Sequence, residues 1–518
     1  MTLLASFIIA MFITMALIPP LKRTAGRFNF MDTPDERKVH TGVIPRIGGI
    51  AMVCGVILPI PFLLQLSHEL VAFLFGACII IVFGVLDDRY DLSPKYKFLG
   101  QFLASLVIVL WGGIIIEYVP FLSSEPIPVY LSIPLTIFAL LGITNAINLA
   151  DGLDGLAGGT VLISLTGIAV VAYMLDQQIV LFIALAIMGS ILGFLRFNTY
   201  PATVFMGDGG SQFLGFSIGV LTILLVHKAE GFLSPSLALL FLGIPLLDTV
   251  YVMSQRIKSG RSPFSPDKNH FHHKFMAIGF THYQSVFVLY LLQGVLVLCA
   301  LQLKFYSDLV ICSFYLLFSL FLILFFRFPN VHFQVVKKLQ KLIREVKQTR
   351  ANIFLEHRTA LIYRVLAGGI AFLVASFIVV SSTQIDIVNQ DVVWLLRVMF
   401  VLSLIMLFIP SHIEYISWYE RVAIYLIGAV IIYHTGATQL DQKLYYQLLD
   451  YYFILLAMAL LVTFPFYKTR RFKLNTLDFL VIFVAILFPF FSMDVINSSD
   501  FMIDITKLIV LYYSIEFV

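Results

Sequence analysis

Five short polar clusters interrupt the long apolar runs of this chain, and their carboxylates, amides, basic groups and histidines are the residues able to do chemistry. They are Asp87-Asp88-Arg89; the stretch from Asn145 to Gly155, which carries Asn148, Asp151 and Asp154; Gly207-Asp208-Gly209-Gly210-Ser211; Ser265 to His273; and Asp32 to Gly49. A carboxylate at the centre of a membrane helix costs roughly 2.5–3.5 kcal/mol even on lenient insertion scales, so carboxylates recurring at the ends of apolar runs need a purpose. Asp87 and Asp88 directly follow an apolar run. Asp151 and Asp154 are three apart and share a face if that segment is helical, and Asp208 lies in a Gly-rich turn leading into the next run. These are hard oxygen ligands. They suit magnesium, which takes one or two carboxylates plus waters and substrate phosphates, better than zinc, for which the chain offers histidines but no cysteine cluster. Lys97, Arg256, Arg261, Lys268 and the histidines are cationic donors suited to phosphate oxygens. Carboxylates, a metal and basic donors together point to phosphoryl transfer from a water-soluble, doubly anionic donor. Each cluster alone has a plainer reading: an Asp pair after a span is usually a solvated helix end, and His270, His272 and His273 compete with a structural zinc site. Asp248, deep in an apolar run, has no role that the sequence assigns.

The elements that must position these residues are membrane spans. Of 518 residues 60% are hydrophobic and 12% charged, against about 25% charged in a typical soluble domain. Apolar runs fall at about 3–21, 47–66, 69–86, 98–118, 129–147, 157–175, 178–195, 211–227, 233–254, 284–302 and 308–327, then at 360–381, 391–410, 421–436, 446–467, 474–492 and 501–518. The fold class expected is all-α, a polytopic integral membrane protein. The first run has Lys22 and Arg23 after it and no basic residue before it, which argues for a retained span with its N-terminus outside. Alternating from there, the inner loops collect nearly all the Lys and Arg. The outer loops hold only Lys228, Lys304 and Lys443, with Lys507 in the last weak run, and all five polar clusters fall inside. Cys54, Cys78, Cys299 and Cys312 lie within apolar runs and read as small buried hydrophobes.

The clusters, taken in order, resemble the polyprenyl-phosphate N-acetylhexosamine-1-phosphate transferases of glycosyltransferase family 4. The resemblance is carried by Asp87-Asp88-Arg89 through Lys97, Asn145 to Gly159, Phe205-Met206-Gly207-Asp208-Gly209-Gly210-Ser211 and Arg261 to His273, with Asp32 to His40 and Pro45 to Gly49 ahead of them. It covers about residues 1–330 and is closer to the WecA type than to the muramoyl-pentapeptide transferases. It implies transfer of a sugar 1-phosphate, N-acetylglucosamine 1-phosphate above all, from a UDP-N-acetylhexosamine to undecaprenyl phosphate. UMP is released and a lipid-linked envelope glycan is begun. By the same resemblance Asp208 and Asn148 would hold Mg2+, or Mn2+ in its place, and Asp87, Asp88 and Lys97 would line the path of the lipid phosphate. Asp151 and His270 join that catalytic group. Asp154, Arg261, His272, His273, Asn145 and Arg46 would bind the donor. The site is expected at the cytoplasmic face of a bacterial inner membrane, among membrane lipids. No nucleic-acid partner is expected, and a homodimer or downstream glycosyltransferases are left open.

Beyond residue 330 the resemblance ends. Residues 331–359 form a basic amphipathic stretch, with Val331, Val335, Leu339, Leu342 and Val346 along one helical stripe. Residues 360–518 add five or six spans of unassigned role. A transporter or flippase for lipid-linked sugars stays open as the alternative; its site would lie near the bilayer midplane on broken helices.

Overall fold

A computed structural model describes residues 2–32, 42–122, 125–262 and 269–327, and beyond these only 368–374, 376–377, 451–459, 480, 507, 510, 511 and 514. The chain divides into two compact units, one of residues 1–337 with 475–483, the other of 338–474 with 484–518. The sequence reading places this break at about 330. Residues 33–41 of the first polar cluster, Ser265 to Lys268, the basic stretch 331–359 and most of the later spans lie outside the described residues.

The first unit is helical. Its elements are α1 (Thr2–Thr24), the two-residue strands β1 (Met31–Asp32) and β2 (Ile44–Pro45), α2 (Gly48–Ile57), α3 (Ile60–Leu63), α4 (His68–Tyr90), α5 (Pro94–Leu106), α6 (Val129–Ala150), α7 (Leu156–Met174), α8 (Gln178–Asn198), α9 (Gly207–His227), α10 (Leu237–Phe241), α11 (Gly243–Lys258), α12 (Phe271–Ala277), α13 (His282–Leu303) and α14 (Asp308–Phe325). Seven of the described helices, α4, α6 to α9, α13 and α14, are long and apolar enough to cross a membrane. Of the other runs inside residue 327, the first is the continuous helix α1 and three are interrupted. The second breaks at Leu58-Pro59 between α2 and α3. The fourth passes through a π-type turn at Val107–Trp111 into irregular chain, and the ninth breaks at Leu242 between α10 and α11. Such breaks are tolerated at membrane depth where neighbouring groups satisfy the freed backbone. One such case is the amide of Ile116, which donates to Thr136 Oγ1 at 2.8 Å.

At the centre stands α9, buried from Gly209 to Leu225 and packed by α2, α4, α6, α7 and α8. At its first turn glycines let backbones meet: a Cβ on Gly84 of α4 would lie 2.2 Å from Gly209 Cα, and one on Gly49 of α2 would lie 2.3 Å from Gly210 N. The outward faces carry bare apolar side chains, among them Phe138 on α6 and Leu316, Leu317 and Phe321 on α14. Contiguous exposed apolar surface on this scale is stable against lipid, not water, and the protein is an integral membrane protein. The cysteines correct one expectation. Cys54, Cys299 and Cys312 are half-buried and Cys78 is exposed, because helix faces turned to lipid need no burial in protein to satisfy an apolar side chain.

The contact of α4 with α9 yields a test. Gly84→Ala must push two backbones apart, and such overpacking costs about 1–3 kcal/mol. Gly142→Ala meets nothing within 4 Å and gains helix propensity worth up to about 1 kcal/mol. Thermal unfolding in detergent should therefore shift down for Gly84→Ala and stay level or rise for Gly142→Ala; equal shifts would refute the close crossing.

Candidate active site

Four of the five clusters come together around the first turn of α9. Gly207 has φ +71, in the region that favours glycine, and a Cβ there would lie 2.4 Å from Asp88 Oδ2. That turn brings two backbone amides onto one carboxylate: Asp208 N–H donates to Asp88 Oδ1 at 2.8 Å and Gly209 N–H to Asp88 Oδ2 at 3.1 Å. Asp88, from the last turn of α4, thus caps α9 with both its oxygens. Asp87 points elsewhere. Its Oδ1 accepts from Leu92 N at 2.9 Å, tying down the short link to α5, and its Oδ2 lies 2.6 Å from Lys97 Nζ. Lys97 Nζ also lies 2.7 Å from Asp208 Oδ2. One half-buried ammonium therefore bridges two carboxylates from helices far apart in sequence.

Backbone pairing carries Arg46 to the same place. Phe205 N–H donates to Pro45 O at 2.8 Å, and Gly48 and Gly49 donate to Phe205 O and Met206 O at 2.9 Å each. The first loop is zipped to the segment leading into α9. Arg46 pairs with Asp32, and its positive charge acts on Asp88 and Asp208.

One helical turn beneath Lys97 and Asp208 lies an amide relay. Asn145 Nδ2 donates to Gln101 Oε1 at 2.7 Å, and Gln101 Nε2 to Gln212 Oε1 at 3.0 Å. Asn145, expected at the donor, spends its amide hydrogens on this relay and on Leu141 O. Asn148 stays nearer the acidic group, since its Oδ1 accepts from Ser211 Oγ on the first turn of α9 at 2.7 Å.

Asp151 and Asp154 do not share a helix face. The chain leaves α6 at Ala150, turns through Gly152 and enters α7 from Gly155 at φ +79, because the two glycines favour a turn over a continued helix. Asp154 Oδ2 accepts from Ala202 N at 2.9 Å, and its own amide meets His282 Nε2 at 3.2 Å. His272, buried, packs on the turn, where a Cβ on Gly152 would lie 2.4 Å from its Nε2. Burial, helped by the neighbouring His273, His270 and His282, holds the His272 imidazole down at about 2, so it is neutral. Asp151 links the two halves: burial, then the charges of Asp208 and Asp154, push its carboxyl up to about 7. His270 Nδ1 lies 2.8 Å from Asp248 Oδ2, and the rings of His270 and His272 lie parallel at 5.7 Å. Arg261 is exposed just past α11, beside the segment 263–268.

Sequence reasoning missed three groups: His282 at Asp154, the glutamines of the relay, and Asp248 as partner of His270. For Gln101, Gln212 and Asp248 the one signal was polarity inside apolar runs, where side chains that can hydrogen-bond across helices are kept for that purpose; His282, just ahead of the tenth run, gave none.

The donor set fits a magnesium-like ion. Among the described residues no three His, Cys, Asp or Glu converge as ready ligands. Two carboxylate oxygens do converge on the point held by Lys97 Nζ, and buried Asp87 Oδ2 has no well-directed hydrogen bond. A hard cation whose remaining ligands are water and phosphate matches that set.

Residues 70–226, which hold α4 to α9 and most of this site, match the model of glycosyl transferase family 4. The chain is 38% identical over 321 residues to a probable undecaprenyl-phosphate N-acetylglucosaminyl 1-phosphate transferase of Bacillus subtilis, covering 61% of this chain and 89% of that protein. The chain belongs to glycosyl transferase family 4. Within the family it is also similar to the undecaprenyl-phosphate alpha-N-acetylglucosaminyl 1-phosphate transferase of Escherichia coli K12, 30% identical with 64% of this chain and 90% of that one covered. A decaprenyl-phosphate N-acetylglucosaminephosphotransferase of Mycobacterium leprae is 34% identical over 55% of this chain and 79% of its own length.

The raised carboxyl of Asp151 sets a pH dependence. The folded value of about 7 lies above the ordinary 3.8, so the folded protein holds a proton that the unfolded chain releases. The stability this proton contributes is full below about 3.8 and is lost as pH rises to about 7. In metal-free detergent solution, Asp151→Asn should flatten that part of the melting-temperature profile. An unchanged slope would show that Asp151 ionises normally.

Proposed function

We propose that this family member transfers N-acetylglucosamine 1-phosphate from UDP-N-acetylglucosamine to undecaprenyl phosphate, releases UMP, and so begins a lipid-linked envelope glycan. The observation that carries the reading is the Lys97 ammonium held between Asp87 and Asp208 at the capped end of α9. The relatives' names supply the sugar and the lipid.

A lipid phosphate monoester has a second pKa near 6 and is mostly dianionic at neutral pH, so it hardly needs a base. Its oxygen forms a bond to the sugar-bearing phosphorus while the bond from that phosphorus to the UMP oxygen breaks, and UMP leaves with the electron pair. Catalysis is then positioning and charge stabilisation. The first amides of α9 are already taken by Asp88, so the helix end is no free anion site, and the phosphates fall to Lys97 and Arg46. His270, His272, His273 and Arg261 act on the donor from the other half of the site. Asp208, with Asn148 beside it and Asp87 facing it, would hold Mg2+, or Mn2+ in its place. That ion supplies neutralisation of the diphosphate charge.

The site lies at the cytoplasmic face of the inner membrane in this reading, supported by the basic inner loops. A cysteine at Ser259, exposed after α11, should react with an impermeant label from the cytoplasmic side alone. One at Ser307, exposed before α14, should react from outside alone, and the reverse pattern would invert the topology.

UMP release from a panel of UDP-sugars with undecaprenyl phosphate tests the reaction, and no release with any sugar would sink it. Asp208→Asn keeps shape and removes charge; losing one preorganised electrostatic group costs roughly 100- to 1,000-fold in turnover. Near-normal turnover of Asp208→Asn at low magnesium would place the cation elsewhere.

A further inference from the structure

Asp248 stands in α11 with Oδ2 2.8 Å from His270 Nδ1 and Oδ1 2.8 Å from the amide nitrogen of Phe271. Only 5% of Asp248 and 6% of His270 is exposed, so water does not compete for these bonds. The Phe271 amide can only donate. With Asp248 ionised its oxygens only accept, and the bond to His270 then takes the proton on Nδ1 of the ring. Nε2 is left as the one ring nitrogen of His270 open to a ligand.

The segment bearing His270 is held firmly enough for this to matter. The Lys274 ammonium lies 4.0 Å over the Tyr251 ring and bonds the Tyr251 hydroxyl. Phe271 packs on Tyr251 at 5.6 Å and on Phe326 at 5.3 Å. On the other side lies His272, a neutral ring parallel to His270. Among the described residues the carboxylate of Asp248 is thus the negative group in direct contact with His270.

Phosphate oxygens at the donor accept hydrogen bonds, and a charged donor holds them about twice as strongly as a neutral one. We propose that Asp248 is a positioning residue for the transfer: its carboxylate fixes the His270 ring through Nδ1–H and balances an imidazolium whose Nε2–H is presented to the donor diphosphate. This rests on the transferase reading above. It goes beyond that reading by giving a task to a buried carboxylate in an apolar run that the metal and the lipid phosphate do not use.

Asp248→Asn separates this role from packing. The amide oxygen still accepts from Phe271, and the amide nitrogen still meets His270 Nδ1, so shape and both hydrogen bonds survive. The charge does not, and the ring is left neutral. The expected result is a fall in turnover of about 10- to 100-fold, the loss typical when an outer partner of a functional histidine is changed, with melting temperature near wild type. In a His270→Ala background the same change should cost nothing further. Turnover of Asp248→Asn within about twofold of wild type, or single losses that simply multiply in the double variant, would overturn the inference. Should Asp248→Asn fail to fold, Asp248→Glu, which keeps the charge and shifts the ring, runs through the same cycle. It should lower turnover alone and have no effect without His270, and multiplying losses would again count against it. A wild-type chain inactive with every UDP-sugar would overturn the transferase reading and this inference with it. An active wild type with independent variants overturns this inference alone.

Discussion

The bidentate cap of Asp88 on α9 is the contact on which the site depends. A buried helix beginning among other helices leaves amides that must find acceptors, and an unsatisfied buried donor costs about 1–3 kcal/mol. Asp88 meets two of those amides at once. In doing so it fixes where α9 starts, how closely α4 approaches it, and where Asp208 points. Gly207 and Gly84 each lack a Cβ where one would collide with this arrangement. The electrostatic argument follows from the same contact. With the helix end already neutralised by Asp88, the charge of Asp208 is free to face Lys97 and a cation.

The two halves of the site work under different constraints. Around Lys97 charge is dense: two carboxylates share one ammonium, with Arg46 near by. Around His270 charge is sparse and buried. His272 is held neutral, and Asp248 is committed to two donors. Asp151, whose carboxyl rises to about 7 between them, feels both halves.

Much of this was legible in the sequence because membrane chemistry is unforgiving. Apolar runs mark the spans, and every carboxylate that the lipid would punish marks a place worth reading. What could not be read was the hand-off between clusters. Asp87 and Asp88 are neighbours of the same type, yet one meets Lys97 and the other caps a helix more than a hundred residues on. No local pattern separates them. Asp151 and Asp154 look helical by spacing and are not, because Gly152 and Gly155 let the chain turn. Asn145 was expected to bind substrate, and nothing in its sequence neighbourhood showed that its amide hydrogens would go to Gln101 and Leu141, contacts set by which helices pack together.

The resting pairs also bear on the proposed reaction. Lys97 spends two of its three ammonium hydrogens on Asp87 and Asp208 and keeps one for a phosphate oxygen. In the proposed reaction a cation joining the two carboxylates would loosen their hold on the ammonium and leave more of its hydrogens to the phosphate. In the proposed reaction such a site would gain by binding a cation together with the phosphorylated donor, and the three-way contact of Asp87, Lys97 and Asp208 would carry that coupling.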